Sequence, residues 1–69
     1  MKLCTRNVFK GKVVKVMKGQ AMSHVQIEIA PGTVVTASIT NEAVHELELR
    51  IGDSAYAVIN PSNVMVGRD

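Results

Sequence analysis

The chain has 69 residues, 46% of them hydrophobic, with eight Lys and Arg against six Asp and Glu and one cysteine. That is one domain, and a chain this short buries only about 60% of the surface its unfolded form exposes, so its own core supplies modest stability. Cys4 standing alone excludes a disulfide scaffold, no Cys/His set has the spacing of a structural zinc site, and there is no apolar run long enough for a membrane span.

With disulfides and zinc set aside, oligomerisation is the expected source of further stability, and the apolar richness of so small a chain points to burial between subunits. No leader is apparent and the second residue is Lys2 rather than Gly, so the expected location is cytoplasmic. Lys2, Arg6, Lys10, Lys12, Lys15 and Lys18 crowd the first quarter, while Glu42, Glu46, Glu48 and Asp53 fall together later. This layout predicts a positive and a negative part of the surface, serving anion attraction, association of subunits or solubility.

The Val-rich stretch from Asn7 to Met17, bounded by Lys18-Gly19, predicts a first strand. Its alternation is imperfect: Val8, Val14 and Val16 share one parity and Phe9, Val13 and Met17 the other. Either Gly11 marks a bulge or both faces are covered. The next segment, SHVQIEIA, alternates cleanly, with Val25, Ile27 and Ile29 on one face and His24, Gln26 and Glu28 on the other. Pro31-Gly32 predicts a tight turn into VVTASIT, whose inner face is Val35, Ala37 and Ile39 and whose other face is a row of hydroxyls, Thr36, Ser38 and Thr40.

At TNEAVHELELRIGD the period changes. Val44, Leu47 and Ile51 lie at helical spacing, Thr40 or Asn41 caps the start, and Gly52 ends the segment. SAYAVIN then predicts a fourth strand and NVMVG a short fifth, with Pro61 and Ser62 between them. The expected fold is mainly β, a small five-stranded Greek-key barrel of oligonucleotide/oligosaccharide-binding type with one short helix between strands 3 and 4, spanning residues 1–69 as a single domain.

Catalytic equipment is not evident. His24 and His45 lack partners in sequence, Cys4 has no partner base, and the carboxylates of Glu42 and Glu46 sit one helical turn apart on a solvated face. Nucleic acid is not the expected partner either, because small barrels of this kind stack bases on aromatic rings and only Phe9 and Tyr56 are aromatic; a weak, salt-sensitive electrostatic attraction is the alternative.

Arg6 stands between Thr5 and Asn7, and none of the first 18 residues is acidic. A guanidinium among neutral hydrogen-bonding groups is suited to an anion rather than to a carboxylate of its own chain. Similar groups recur at Ser38 to Thr40 and Asn60 to Ser62, and Thr40 precedes a helix N-terminus. These residues suit a small oxyanion pocket, and equally the ordinary polarity of strand ends.

The blocks RNVFKGKVVKVMKG, VQIEIAPGTVVTASITNEAVHEL and IGDSAYAVINPSNVMVG, in this order and spacing, resemble the molbindins, or molybdenum-pterin-binding proteins, and the related TOBE domain of molybdate transporters and regulators. The resemblance spans the chain. It implies a homohexamer built as a trimer of dimers that stores or buffers molybdate or tungstate between subunits without chemistry, with no organic cofactor and no directly ligated metal ion. Carried over, it marks Arg6, Asn7, Thr40 and Ser62; with the neighbouring groups Cys4, Thr5, Ser38, Asn60 and Pro61 they make the expected oxyanion-binding set, and Lys18, Gly19, Gln20 and Ala21 are candidates for a second site.

Three positions depart from the family pattern. Cys4 replaces a serine hydroxyl with a weaker donor, Asn60 replaces a common lysine, and Pro61 removes a backbone N–H. They leave open an alternative in which the chain keeps the assembly as a structural or regulatory interaction module without ligand.

Overall fold

The computed structural model describes residues 7–69. Four antiparallel strands, β1 (Asn7–Lys18), β2 (Met22–Ala30), β3 (Thr33–Thr40) and β4 (Ser54–Ile59), form one sheet in the order β3-β2-β1-β4. The first three follow one another as a meander. A connection containing the helix α1 (Asn41–Glu46) then returns the chain so that β4 pairs with the N-terminal half of β1, while β2 pairs with its C-terminal half.

The uneven alternation of β1 is explained by a register shift between Val13 and Lys15, not at Gly11. The extra residue lets Val13 face the core before it and Val16 after it, with Gly11 and the exposed Phe9 on the same side of the strand as Val13. At the bulge the Val13 N–H donates to the Asp53 carbonyl at 2.9 Å, and the Val13 carbonyl accepts from Gly52 N–H at 2.8 Å. Gly11 has another purpose: a Cβ there would lie 2.8 Å from Ile27 Cγ2 and collide with the Glu28 carbonyl. Glycine lets β1 and β2 approach closely.

The faces of β2 and β3 follow the period of two. Val25 opposes Ala37 and Ile27 opposes Val35, whereas His24 opposes Ser38 and Gln26 opposes Thr36 on the outer face. Pro31 and Gly32 make the connecting turn, Gly32 adopting φ 77°, where an L side chain is strained. Val13, Val25, Ile27 and Ala57 form the buried centre, with Ile29, Val35, Ile39, Val44, Leu49 and Ala55 packed around it.

Two expectations are corrected. The helix is shorter than its apolar spacing predicts: it stops at Glu46, and Leu47 and Ile51 are 67% and 68% exposed. Glu48 turns left-handed at φ 51°, its N–H donating to the His45 carbonyl and that of Leu49 to the Val44 carbonyl, both at 3.1 Å. This is a Schellman stop, which brings Leu49 and Val44 to the core in place of Leu47 and Ile51. Gly52, at φ 97°, belongs instead to the turn that enters β4.

The second correction concerns the five-stranded count. Pro61–Asn63 is a single 3-10 turn, and residues 64–69 form no strand. The alternation of NVMVG has no neighbouring strand to pair with in this chain, and an isolated extended segment gains no ladder hydrogen bonds. Among the described residues, β3 and β4 are therefore the two edges of the sheet.

Candidate functional site

The sequence points to three groups of anion donors, and the structure joins part of them. Asn7 pairs with Ile59, and its Nδ2 donates to the Ile59 carbonyl at 3.3 Å. The start of β1 is thereby held against the end of β4, with Asn60, Pro61 and Ser62 following directly. Asn60 precedes the 3-10 turn without using its side chain as a cap, so the amide remains available. Pro61 opens that turn, where its missing N–H costs the local structure nothing. Asn63 N–H donates to the Asn60 carbonyl at 2.9 Å and Val64 N–H to the Pro61 carbonyl at 3.2 Å. Cys4, Thr5 and Arg6, which precede Asn7 in sequence, lie outside the described residues.

Ser38 and Thr40 are placed elsewhere. Thr40 opposes Met22, beyond the Lys18 end of β1, while Asn7 begins β1 at the other end. Ser38 is on the outer face opposite His24. The Thr40 hydroxyl accepts from Ala43 N–H at 3.0 Å as the cap of α1, which decides between Thr40 and Asn41, the two caps the sequence offers. One copy of the chain thus divides the expected donors between the two ends of its longest strand.

Of the second-site candidates, Lys18 ends β1, and Gly19, Gln20 and Ala21 form the exposed connection to β2. Their backbone is largely committed. Gly19 N–H donates to the Met22 carbonyl at 2.8 Å, Asn41 N–H to the Ala21 carbonyl at 2.9 Å, and Asn41 Nδ2 to the Gly19 carbonyl at 2.9 Å. Asn41 Oδ1 in turn accepts from the Ser23 hydroxyl, which is fully buried. Sequence reasoning missed this clamp: Ser23 reads as a routine polar residue at a strand start, and only the register places it beneath the helix. Beside the clamp lies a hollow of about 250 Å³ lined by Lys18, His45, Glu48 and Arg50 among others. Its cations share the space with a carboxylate and the C-terminal end of α1, whose carbonyl dipoles disfavour an anion.

A larger cleft of about 760 Å³ opens on the core side of the sheet, between β3 and β4. Ile27, Val35, Ile39, Leu49, Ala57 and Ile59 contribute to its apolar lining. No group of three or more His, Cys, Asp or Glu is arranged to hold a metal ion among the described residues. No described helix is long and apolar enough to cross a membrane.

A short sheet carrying neutral donors at a strand junction has the form of a small β binding module. A family model described as TOBE domain matches residues 5–66, and the chain belongs to that family. It is 43% identical over 67 residues to a probable molybdenum-pterin-binding protein of Haemophilus influenzae, with 97% of each chain covered. The fold superposes on MopII from Clostridium pasteurianum with a TM-score of 0.89 at 36% identity, covering 97% of this chain and all of that one. It also superposes on the cytoplasmic molybdate-binding protein ModG, in a form with molybdate bound, with a TM-score of 0.88 at 40% identity; 94% of this chain corresponds to 46% of ModG. Two of these relatives are described as binding proteins for molybdenum species.

Proposed function

We propose that the chain binds molybdate, or the isosteric tungstate, as an intact oxyanion and stores or buffers it in the cytoplasm without catalysis, in sites shared between copies of a homo-oligomer. The observation that carries this reading is the correspondence of 97% of this chain with a probable molybdenum-pterin-binding protein at 43% identity, and of 94% of it with part of the molybdate-binding protein ModG at 40%. Local geometry supports it. Asn7 and the Asn60–Ser62 turn meet at one strand junction, and Arg6, adjacent in sequence, supplies the charge. Amide and hydroxyl donors with a guanidinium complement a tetrahedral dianion and leave it unprotonated.

The separation of Ser38 and Thr40 from this junction favours a shared site, since donors at opposite ends of one copy converge when copies pack end to end. A hexamer built as a trimer of dimers is the assembly we infer. The order β3-β2-β1-β4, with the fourth strand beside the first, supports the Greek-key reading of the fold.

Isothermal titration against molybdate, tungstate, sulfate and phosphate tests the proposal. Molybdate and tungstate are expected to bind and sulfate much more weakly, because a cavity fitted to the larger anions leaves sulfate short of its donors. Equal heats for molybdate and sulfate, or none with molybdate, would overturn it. Arg6→Ala is expected to weaken molybdate binding by about 1.5–3 kcal/mol, the range for a charged hydrogen bond. A chain serving only as a structural or regulatory interaction module would show no molybdate heat to lose.

A further inference from the structure

Lys15, Gln26 and Thr36 cross the outer face of the sheet in one polar row. In the next row, toward the clamp formed by Ser23 and Asn41, the chemistry changes to two thioethers and an imidazole. Met17 pairs directly with His24, and Met22 stands two residues before His24 on the same face of β2. The histidine that has no partner in sequence gains two through the register.

The spacing suits a single small guest. Directly opposed residues of an antiparallel pair, as Met17 and His24 are, hold their Cβ atoms about 4.5–5.5 Å apart, and diagonal neighbours such as Met17 and Met22 lie about 7–8 Å apart. Met17 and Met22 are 53% and 44% exposed, so neither thioether is spent on filling the core. Their unbranched side chains let each sulfur turn toward the imidazole. The backbone beneath them is fixed, because Gly19 N–H donates to the Met22 carbonyl at 2.8 Å and Asn41 Nδ2 to the Gly19 carbonyl at 2.9 Å in the turn that joins Met17 to Met22. Ligands carried on a rigid scaffold need little further ordering to capture an ion.

We propose that Met17, Met22 and His24 form a three-ligand site for a soft monovalent cation, Cu(I) or Ag(I). Thioethers are soft donors that select Cu(I), and imidazole suits copper as well. All three ligands are uncharged. Lys15 lies two residues from Met17 on the same face, and Glu28, the carboxylate on this face of β2, is four residues from His24, about 13 Å along the strand. That balance favours a single positive charge over Zn2+ or Mg2+, which are held by thiolates, carboxylates or several imidazoles. The ion displaces water, and neither it nor the sulfur changes oxidation state. The site stands at the other end of β1 from Asn7 and Asn60–Ser62, and it does not depend on which anion binds.

Methionine-methyl and histidine-ring NMR of the full-length chain titrated with silver nitrate tests it, in a Cys4→Ser background that removes the competing thiol. The methyls of Met17 and Met22 and the ring of His24 are expected to shift together and to saturate at one ion per chain, while Met65, although 93% exposed, and His45 stay in place. Met17→Leu keeps the side-chain volume and His24→Gln keeps a polar group. Loss of even an outer partner costs a metal site 10–100-fold in affinity, so each variant is expected to weaken Cu(I) binding by about tenfold or more, measured by competition with bicinchoninate in the absence of oxygen. Met65→Leu is expected to leave that affinity unchanged. Methyls of Met17 and Met22 that do not move, a Met65 methyl that moves in parallel with them, undiminished Cu(I) affinity in Met17→Leu, or Zn2+ held at His24 as tightly as Ag(I) would each overturn the proposal.

Discussion

The two ends of the sheet are built differently. Where β1 passes into β2 and β3 into α1, every element is tied to another: Asn41 bridges the Ser23 hydroxyl, the Gly19 carbonyl and the Ala21 carbonyl, Thr40 caps the helix, and Val44 and Leu49 fold onto the core. At the other end the start of β1 and the end of β4 hold each other through Asn7 and Ile59, and then the chain runs out through a single 3-10 turn into exposed Val64, Met65 and Val66. The first end satisfies its own hydrogen bonds, although Met17, Met22 and Leu47 remain exposed there. The second leaves neutral donors and apolar side chains unused, which is what a place for a ligand and a partner requires.

Substitutions can break this contrast in order of expected effect. Val25→Ala, at a side chain 1% exposed in the centre of the core, is expected to lower unfolding stability by about 2–3 kcal/mol through lost burial and a residual cavity, read from the shift in denaturant midpoint. Gly11→Ala drives a methyl into the Glu28 carbonyl and is expected to cost about 1–3 kcal/mol in the same assay, because backbone cannot yield as a flexible side chain can. Thr40→Ala removes the helix cap and is expected to cost about 1 kcal/mol, with Thr40→Ser retaining most of it. Glu48→Gly has the opposite sign. Relief of the left-handed backbone is expected to raise stability by about 0.5–1 kcal/mol, net of the extra freedom glycine gains when unfolded. If Thr40→Ala left molybdate binding unchanged while unfolding shifted by the expected amount, Thr40 would serve the helix alone and the shared site would need redrawing.

Ligand sharpens the same comparison. Molybdate at about a hundred times its dissociation constant is expected to stabilise the folded chain by about 2.7 kcal/mol, and removing it by dialysis should reverse the gain in melting temperature. Arg6→Ala should diminish that gain without altering the unliganded stability of the clamped end.

What the sequence reveals about this fold depends on how local the signal is. The faces of β2 and β3 are legible because a period of two leaves one choice of buried side, and Val25, Ile27 and Val35 take it. The helix start is legible to within one residue, Thr40 or Asn41, and the Thr40 hydroxyl on Ala43 N–H decides it. The helix end is not: Leu47 and Ile51 extend the apolar spacing, but Glu48 occupies a backbone conformation that its residue type does not advertise. The fifth strand is misread for a different reason, since a Val-Met-Val alternation states readiness to pair and says nothing of whether a neighbour in the same chain exists. The candidate site divides in the same way. Its residue types can be picked out in sequence, while the joining of Asn7 to Asn60–Ser62 and the distance of Ser38 and Thr40 from them follow from the register of β1 against β2 and β4.

Hydrogen exchange of the full-length chain with and without saturating molybdate tests most directly whether the open end holds the ligand. The account predicts that added protection concentrates in peptides covering the start of β1 and residues 57–66, and in those covering residues 38–40 that share the site, with little change at residues 19–23. Protection confined to the clamped end, with the Asn7 and Asn60 peptides unaffected, would contradict it.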